Sequence, residues 1–137
     1  MRICVTGGAG FIGSETVKLL LAEGHTVSVY DDESVGTISR LPEHPHLKSV
    51  RGDITDSWLL HRVLTGVEAV LHLAAMTIIQ ASLVRPIECL EVNVMATALL
   101  LKLSKEQDIR KIVFASSSSV YGLTPPPHRE IGPADPL

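Results

Sequence analysis

The 137-residue chain reads as an α/β protein, a doubly wound parallel sheet with strand order 3-2-1-4-5. Three observations carry that reading. Short apolar runs alternate with stretches of helical spacing, the mark of successive βαβ units. The run Val67-Glu68-Ala69-Val70-Leu71-His72-Leu73 is apolar nearly throughout, as in a strand covered on both faces. A glycine-rich loop, Thr6-Gly7-Gly8-Ala9-Gly10-Phe11-Ile12-Gly13, joins the first strand to the first helix. For a doubly wound sheet of such units, 3-2-1-4-5 is the expected strand order.

Taken in order, Ile3-Cys4-Val5 predicts a short buried strand, and Glu15 to Ala22 has helical spacing. The loop between them satisfies G-x-G-x-x-G from Gly8 and G-x-x-G-x-x-G from Gly7. Residues without a Cβ let the backbone turn tightly and come close to a pyrophosphate. The free N–H groups opening the helix then face that anion with the positive end of the helix dipole. Thr26 to Tyr30 alternates like a second strand and is followed at once by Asp31-Asp32, with Asp31 18 residues beyond Gly13. A carboxylate there accepts from a ribose 2′-OH and repels a 2′-phosphate, which selects NAD over NADP.

Residues 33–45 read as a loop, broken by Gly36, Pro42 and Pro45, and His44-Pro45-His46 as a solvated turn rather than a metal site. Leu47 to Val50 is a weak third strand leading into Arg51-Gly52-Asp53-Ile54. Asp56 is placed to cap a helix over 57–64, in which Trp58 is expected to join the core. Val67 to Ala75 is the fourth strand and its exit, with His72 as a hydrogen-bonded core histidine. The small Ala74 and Ala75 leave room for a ligand at the carboxyl end, where open α/β sheets bind theirs. Pro86 opens a long helix whose Ile87, Leu90, Val94, Ala98 and Leu101 predict a buried stripe, with Asn93 solvated or bonded to backbone. Leu99, Leu100 and Leu103 widen that surface toward a partner helix, within the chain or in a dimer. Lys111 to Ala115 is the fifth strand, delivering Ser116-Ser117-Ser118-Ser119-Val120-Tyr121-Gly122 at its tip. The reading is one domain over 1–137, a core to about residue 122 and a proline-rich irregular tail over 123–137.

Composition is that of an ordinary globular protein, 45% hydrophobic and 20% charged, with a net charge of −3. That balance gives no basic footprint for nucleic acid and no polybasic patch for a membrane. No apolar run is long enough to span a bilayer, and the start directly on a strand leaves no room for a signal peptide. Cys4 and Cys89 lack metal or redox spacing and read as buried thiols, which suits a cytoplasmic location.

On the glycine loop, Asp31, Gly52-Asp53-Ile54, His72-Leu73-Ala74-Ala75, Asn93-Val94 and the segment Ser116 to Gly122, the chain resembles the extended short-chain dehydrogenase/reductase superfamily in its NAD-dependent epimerase/dehydratase branch. Within that branch it is most similar to nucleotide-sugar epimerases acting on UDP-glucose or UDP-glucuronate. The resemblance implies a Rossmann-type fold that uses NAD on a nucleotide-sugar substrate. It implies that Gly7, Gly10, Phe11, Ile12 and Gly13 contact the pyrophosphate and Asp31 the adenosine ribose. Asp53 and Ile54 would border the adenine, and Leu73, Ala74 and Ala75 would line the path toward the nicotinamide. Ser117 would be the catalytic hydroxyl, hydrogen-bonded to the reacting sugar oxygen, with Ser118 and Ser119 as neighbouring candidates.

The family's general base is a Tyr followed four residues later by a Lys. Here the only tyrosines are Tyr30 and Tyr121, and neither has Lys at that offset. Two functions follow as expectations. The first is the NAD-binding portion of an epimerase or dehydratase, lacking the family's C-terminal strands and inactive alone, with a homodimer as its assembly. The alternative is a stand-alone NAD-binding module that regulates or partners another chain.

Overall fold

The computed structural model describes residues 1–132 and 134–136. Five strands, β1 (Arg2–Thr6), β2 (Thr26–Asp31), β3 (Leu47–Arg51), β4 (Ala69–His72) and β5 (Lys111–Phe114), form one parallel sheet in the order β3-β2-β1-β4-β5. The register aligns their carboxyl ends. Thr6 lies beside Tyr30 on one side and His72 on the other, and Asp31 lies beside Arg51. Successive residues of β1 point to opposite faces. Ile3 and Val5 pack with Val17 and Leu21 of α1 (Phe11–Ala22), whereas Cys4 packs with Leu60 and Leu64 of α2 (Ser57–Leu64) and with Leu100 and Leu103. Burial pushes the Cys4 thiol up to about 12, which leaves it an inert packing group. Among the described residues no helix is long and apolar enough to cross a membrane.

Helix α1 starts four residues before the expected Glu15, because Gly13 and Ser14 are small enough to be buried in its first turn. The expectation for Trp58 is overturned. Its side chain is 64% exposed, with the Arg62 guanidinium 4.7 Å above the ring. Leu60 and Leu64 take the core face of α2, and at ~100° per residue Trp58 falls on the opposite side from Leu60.

The long helix follows the prediction in extent but not in orientation. After a separate short helix, α3 (Ile79–Val84), it runs through α4 (Pro86–Leu90), a π-helical turn (Glu91–Met95) and α5 (Ala96–Glu106), continuous from 86 onward. The expected buried stripe of Ile87, Leu90, Val94, Ala98 and Leu101 faces solvent, and Ala96, Leu100, Leu103 and Ser104 face the sheet. Two causes combine. The π-turn adds a residue to one turn and so shifts the downstream face. The polar side chains of Asn93 and Thr97 find partners inside, at the Met76 backbone and at His72.

Beyond β5 the chain forms a 3₁₀ turn at Ser118–Tyr121 and then runs irregularly, with the Tyr121 ring stacked on His128 at 4.6 Å. Residues 133 and 137 of the expected tail lie outside the described residues.

Candidate functional site

The carboxyl end of β1 feeds a turn that leaves no room for side chains. Gly7 has φ +68°, and a Cβ there would lie 2.7 Å from the Ala74 nitrogen on the exit of β4. A Cβ on Gly13 would collide with the Gly7 carbonyl, so α1 rests directly on the turn. No side chain caps α1, and its first turn holds no acidic residue. The amides of Phe11, Ile12 and Gly13 therefore open toward the sheet's carboxyl end as a ready anion site, while the side chains of Phe11 and Ile12 are exposed. The predicted group Gly7, Gly10, Phe11, Ile12 and Gly13 is brought together in this one turn.

Asp31 is 8% exposed and reaches the same turn. Its Oδ2 accepts the Ala9 N–H at 2.9 Å and its Oδ1 accepts the Glu33 N–H at 2.8 Å. A carboxylate offers about four acceptor sites, so each oxygen keeps one for a ribose hydroxyl. Gly36 was read only as a loop breaker, but it belongs to this assembly. A Cβ there would meet the Ala9 carbonyl oxygen, and that oxygen also accepts the Thr37 N–H at 3.3 Å. The signal was present as a glycine five residues past the acid, within one loop.

On the β3 side, Asp53 is exposed and its Oδ1 accepts from the Thr55 N–H (2.8 Å) and hydroxyl (2.7 Å), while Ile54 is buried beneath. Tyr30 was also missed as a site residue. Its buried hydroxyl donates to the Asp53 carbonyl and ties the exit of β3 to β2. Burial, reinforced by the charges of Asp56 and Asp53, raises its pKa, so it stays a donor.

On the β4 side, Leu73 donates its N–H to the Thr6 carbonyl (3.0 Å) and Ala74 to the Thr6 hydroxyl (3.3 Å), with Ala75 exposed just beyond. His72 is buried, as expected of a core histidine, between Thr6 Oγ1 (2.6 Å to Nδ1) and Thr97 Oγ1 (3.0 Å to Nε2). Thr97 donates its proton to the Asn93 carbonyl, and Asn93 clamps the backbone of Met76 through both amide atoms. Asn93 is thus bonded to backbone, one of the two alternatives its position allowed.

Ser117 stands past the carboxyl end of β5 and is exposed. Its hydroxyl oxygen accepts the Ser119 N–H at 3.1 Å and caps the 3₁₀ turn. Among the described residues no hydrogen bond joins it to the loops after β1, β2 or β4. The side-chain-free turn, the uncapped helix and the half-satisfied Asp31 fit the diphosphate and ribose of a dinucleotide.

The family model described as "NAD dependent epimerase/dehydratase family" matches residues 3–137. A UDP-glucose 4-epimerase of Halalkalibacterium halodurans is 42% identical over 124 residues, which is 89% of this chain and 36% of that protein. Among solved structures, the Bifidobacterium longum UDP-glucose 4-epimerase in complex with NAD+ and UDP superposes with TM-score 0.87 at 31% identity, over 98% of this chain and 43% of its own. A UDP-N-acetylglucosamine 4-epimerase from Methanobrevibacter ruminantium gives TM-score 0.86 at 33% identity, over 98% and 44%. The chain thus spans less than half the length of each of these relatives.

Proposed function

We propose that this chain, which belongs to the NAD dependent epimerase/dehydratase family, is the NAD-binding portion of a nucleotide-sugar epimerase or dehydratase. The observation that carries the reading is the turn over residues 7–13, where Cβ atoms at Gly7 and Gly13 have no space and the helix amides are uncapped. In this reading those amides hold the pyrophosphate, and Asp31 takes the adenosine ribose with its free acceptor sites. Asp53 and Ile54 border the adenine. Leu73, Ala74 and Ala75 flank the path to the nicotinamide, which Thr6 and Asn93 hold open by fixing the backbone on either side. When bound, NAD supplies hydride acceptance and return at a sugar carbinol. Ser117 keeps its own proton while it accepts from Ser119, so it is free to donate to a sugar oxygen.

Titration calorimetry with NAD and NADP tests the reading, with NAD binding more tightly as the expected result. Asp31→Asn should weaken NAD by about tenfold and narrow the NAD-to-NADP ratio, since a charged acceptor becomes a neutral one. An unchanged ratio would show that Asp31 does not touch the ribose. By itself the chain is expected to give no epimerised or dehydrated product, and turnover by a homogeneous sample overturns that. The exposed Ile87, Leu90, Val94 and Leu101 support pairing with a second copy, which sedimentation equilibrium reads directly. Both cysteines are free, which suits a reducing cytoplasm.

A further inference from the structure

We propose that Glu33 and Arg51 form a second selectivity element beside Asp31, in which Glu33 masks a guanidinium that would otherwise hold the 2′-phosphate of NADP. The inference deepens the cofactor reading above and rests on it.

Arg51 ends β3 directly beside Asp31 at the end of β2, one strand spacing away, about 4.8 Å. A guanidinium next to the ribose position is the group that accommodates a 2′-phosphate, through paired charge-assisted hydrogen bonds. By position alone Arg51 favours the wrong cofactor. It is engaged instead by Glu33, whose Oε2 lies 3.4 Å from the arginine Nε.

The two partners are held very differently. The Arg51 side chain is 73% exposed, and this ion pair is the one salt bridge it makes among the described residues. Glu33 is 24% exposed and fixed from several directions. Its N–H donates to Asp31 Oδ1, and its Oε1 accepts from the Ile38 N–H (2.9 Å) and the Thr37 hydroxyl (3.2 Å). Its backbone sits at φ +62°, which a side chain of this size adopts only when its surroundings impose it. Glu33 is the anchored partner and Arg51 the one drawn to it. The bonds to Ile38 and Thr37 hold the glutamate in place, and the exposed ion pair itself adds little to stability. As a filter, the pair acts twice in one direction: the carboxylate repels a 2′-phosphate, and it occupies the cation that would welcome one.

The test is calorimetric titration of wild type, Glu33→Gln, Arg51→Gln and the double variant with NAD and with NADP. Glutamine keeps the oxygen that accepts from Ile38 and Thr37 while losing the charge. Glu33→Gln should bind NADP about tenfold more tightly with NAD within about twofold, and the double variant should lose that gain. Arg51→Gln alone should leave NADP binding within about twofold of wild type, because a masked guanidinium contributes nothing to lose. An unchanged NADP-to-NAD ratio in Glu33→Gln overturns the inference. So does a gain that persists in the double variant, since charge removal alone would then explain it. A tenfold loss of NADP affinity in Arg51→Gln also overturns it, and that arm does not depend on Glu33→Gln folding. These outcomes leave the cofactor reading standing if wild type binds NAD. A wild-type chain that binds neither dinucleotide overturns both.

Discussion

On the β3–β2–β1 side of the sheet, the loops after β1, β2 and β3 are tied to one another around the carboxyl ends. Asp31 holds Ala9 and Glu33, Tyr30 holds Asp53, and Gly36 lies against Ala9. On the β4–β5 side, the links run from the strand and its exit to the long helix, from His72 to Thr97 and from Met76 to Asn93. Much of the apolar surface there faces solvent, with Val113, Phe114, Val94 and Leu101 all exposed. The first half holds the glycine turn and Asp31, the groups that the cofactor reading assigns to the dinucleotide. The second carries the side chains with chemistry to offer, and it presents surface of the kind other protein segments cover.

If the cradle side depends on backbone approach, its sharpest break is a single methyl group. Gly13→Ala would drive a Cβ into the Gly7 carbonyl and the Gly8 backbone, neither of which is the yielding end of a flexible side chain. NAD affinity should fall by at least about a hundredfold, with the melting temperature lowered as well. Wild-type affinity in that variant would mean that the turn can open without consequence.

The open side is broken differently, by comparing adjacent residues on one helix. Leu100 is fully buried and Leu101 is 50% exposed. Leu100→Ala should cost about 2–5 kcal/mol in denaturant unfolding, and Leu101→Ala should stay within about 0.5 kcal/mol in the isolated monomer. A self-association constant, by contrast, should respond to Leu101 more than to Leu100. A larger cost at Leu101 than at Leu100 would return the helix to the orientation that its periodicity suggested.

The same contrast explains what was legible in the sequence. Five strands, their order and the glycine turn were readable because each is written locally, in glycine spacing, alternation and an acid at the end of β2. The face of the long helix was not. Leucines lie almost all round it, and the choice between faces is made by Thr97 bonding His72, 25 residues away, and by a π-turn that periodicity does not encode. Trp58 failed for a related reason, since a large aromatic in an amphipathic run counts as core until its angular position is checked against Leu60 and Leu64. The role of Gly36 needed the fold, because the loop after β1 and the loop after β2 meet only once the sheet has formed.

The smallest expected effect lies on the seam between the two halves. Thr97 gives its proton to the Asn93 carbonyl, so it must accept from His72 Nε2–H, which assigns the neutral ring's proton to Nε2. Nδ1 then accepts the Thr6 hydroxyl proton, and Thr6 accepts in turn from Ala74. Every donor and acceptor in the chain from Ala74 to Asn93 is matched, but only while the ring is neutral. Protonating Nδ1 would leave the Thr6 proton without its acceptor. Burial already lowers the His72 pKa from its ordinary value, so the unfolded chain takes up the proton first as pH falls. Stability from this group is therefore full above about pH 6.5 and declines as pH drops toward the folded-state pKa. One proton limits the slope to about 1.4 kcal/mol per pH unit. Unfolding free energies of wild type and His72→Gln, measured from pH 7.5 down to 5, should converge by less than that slope allows. Parallel curves would mean that the His72 proton is not linked to folding, and that the seam is held by packing alone.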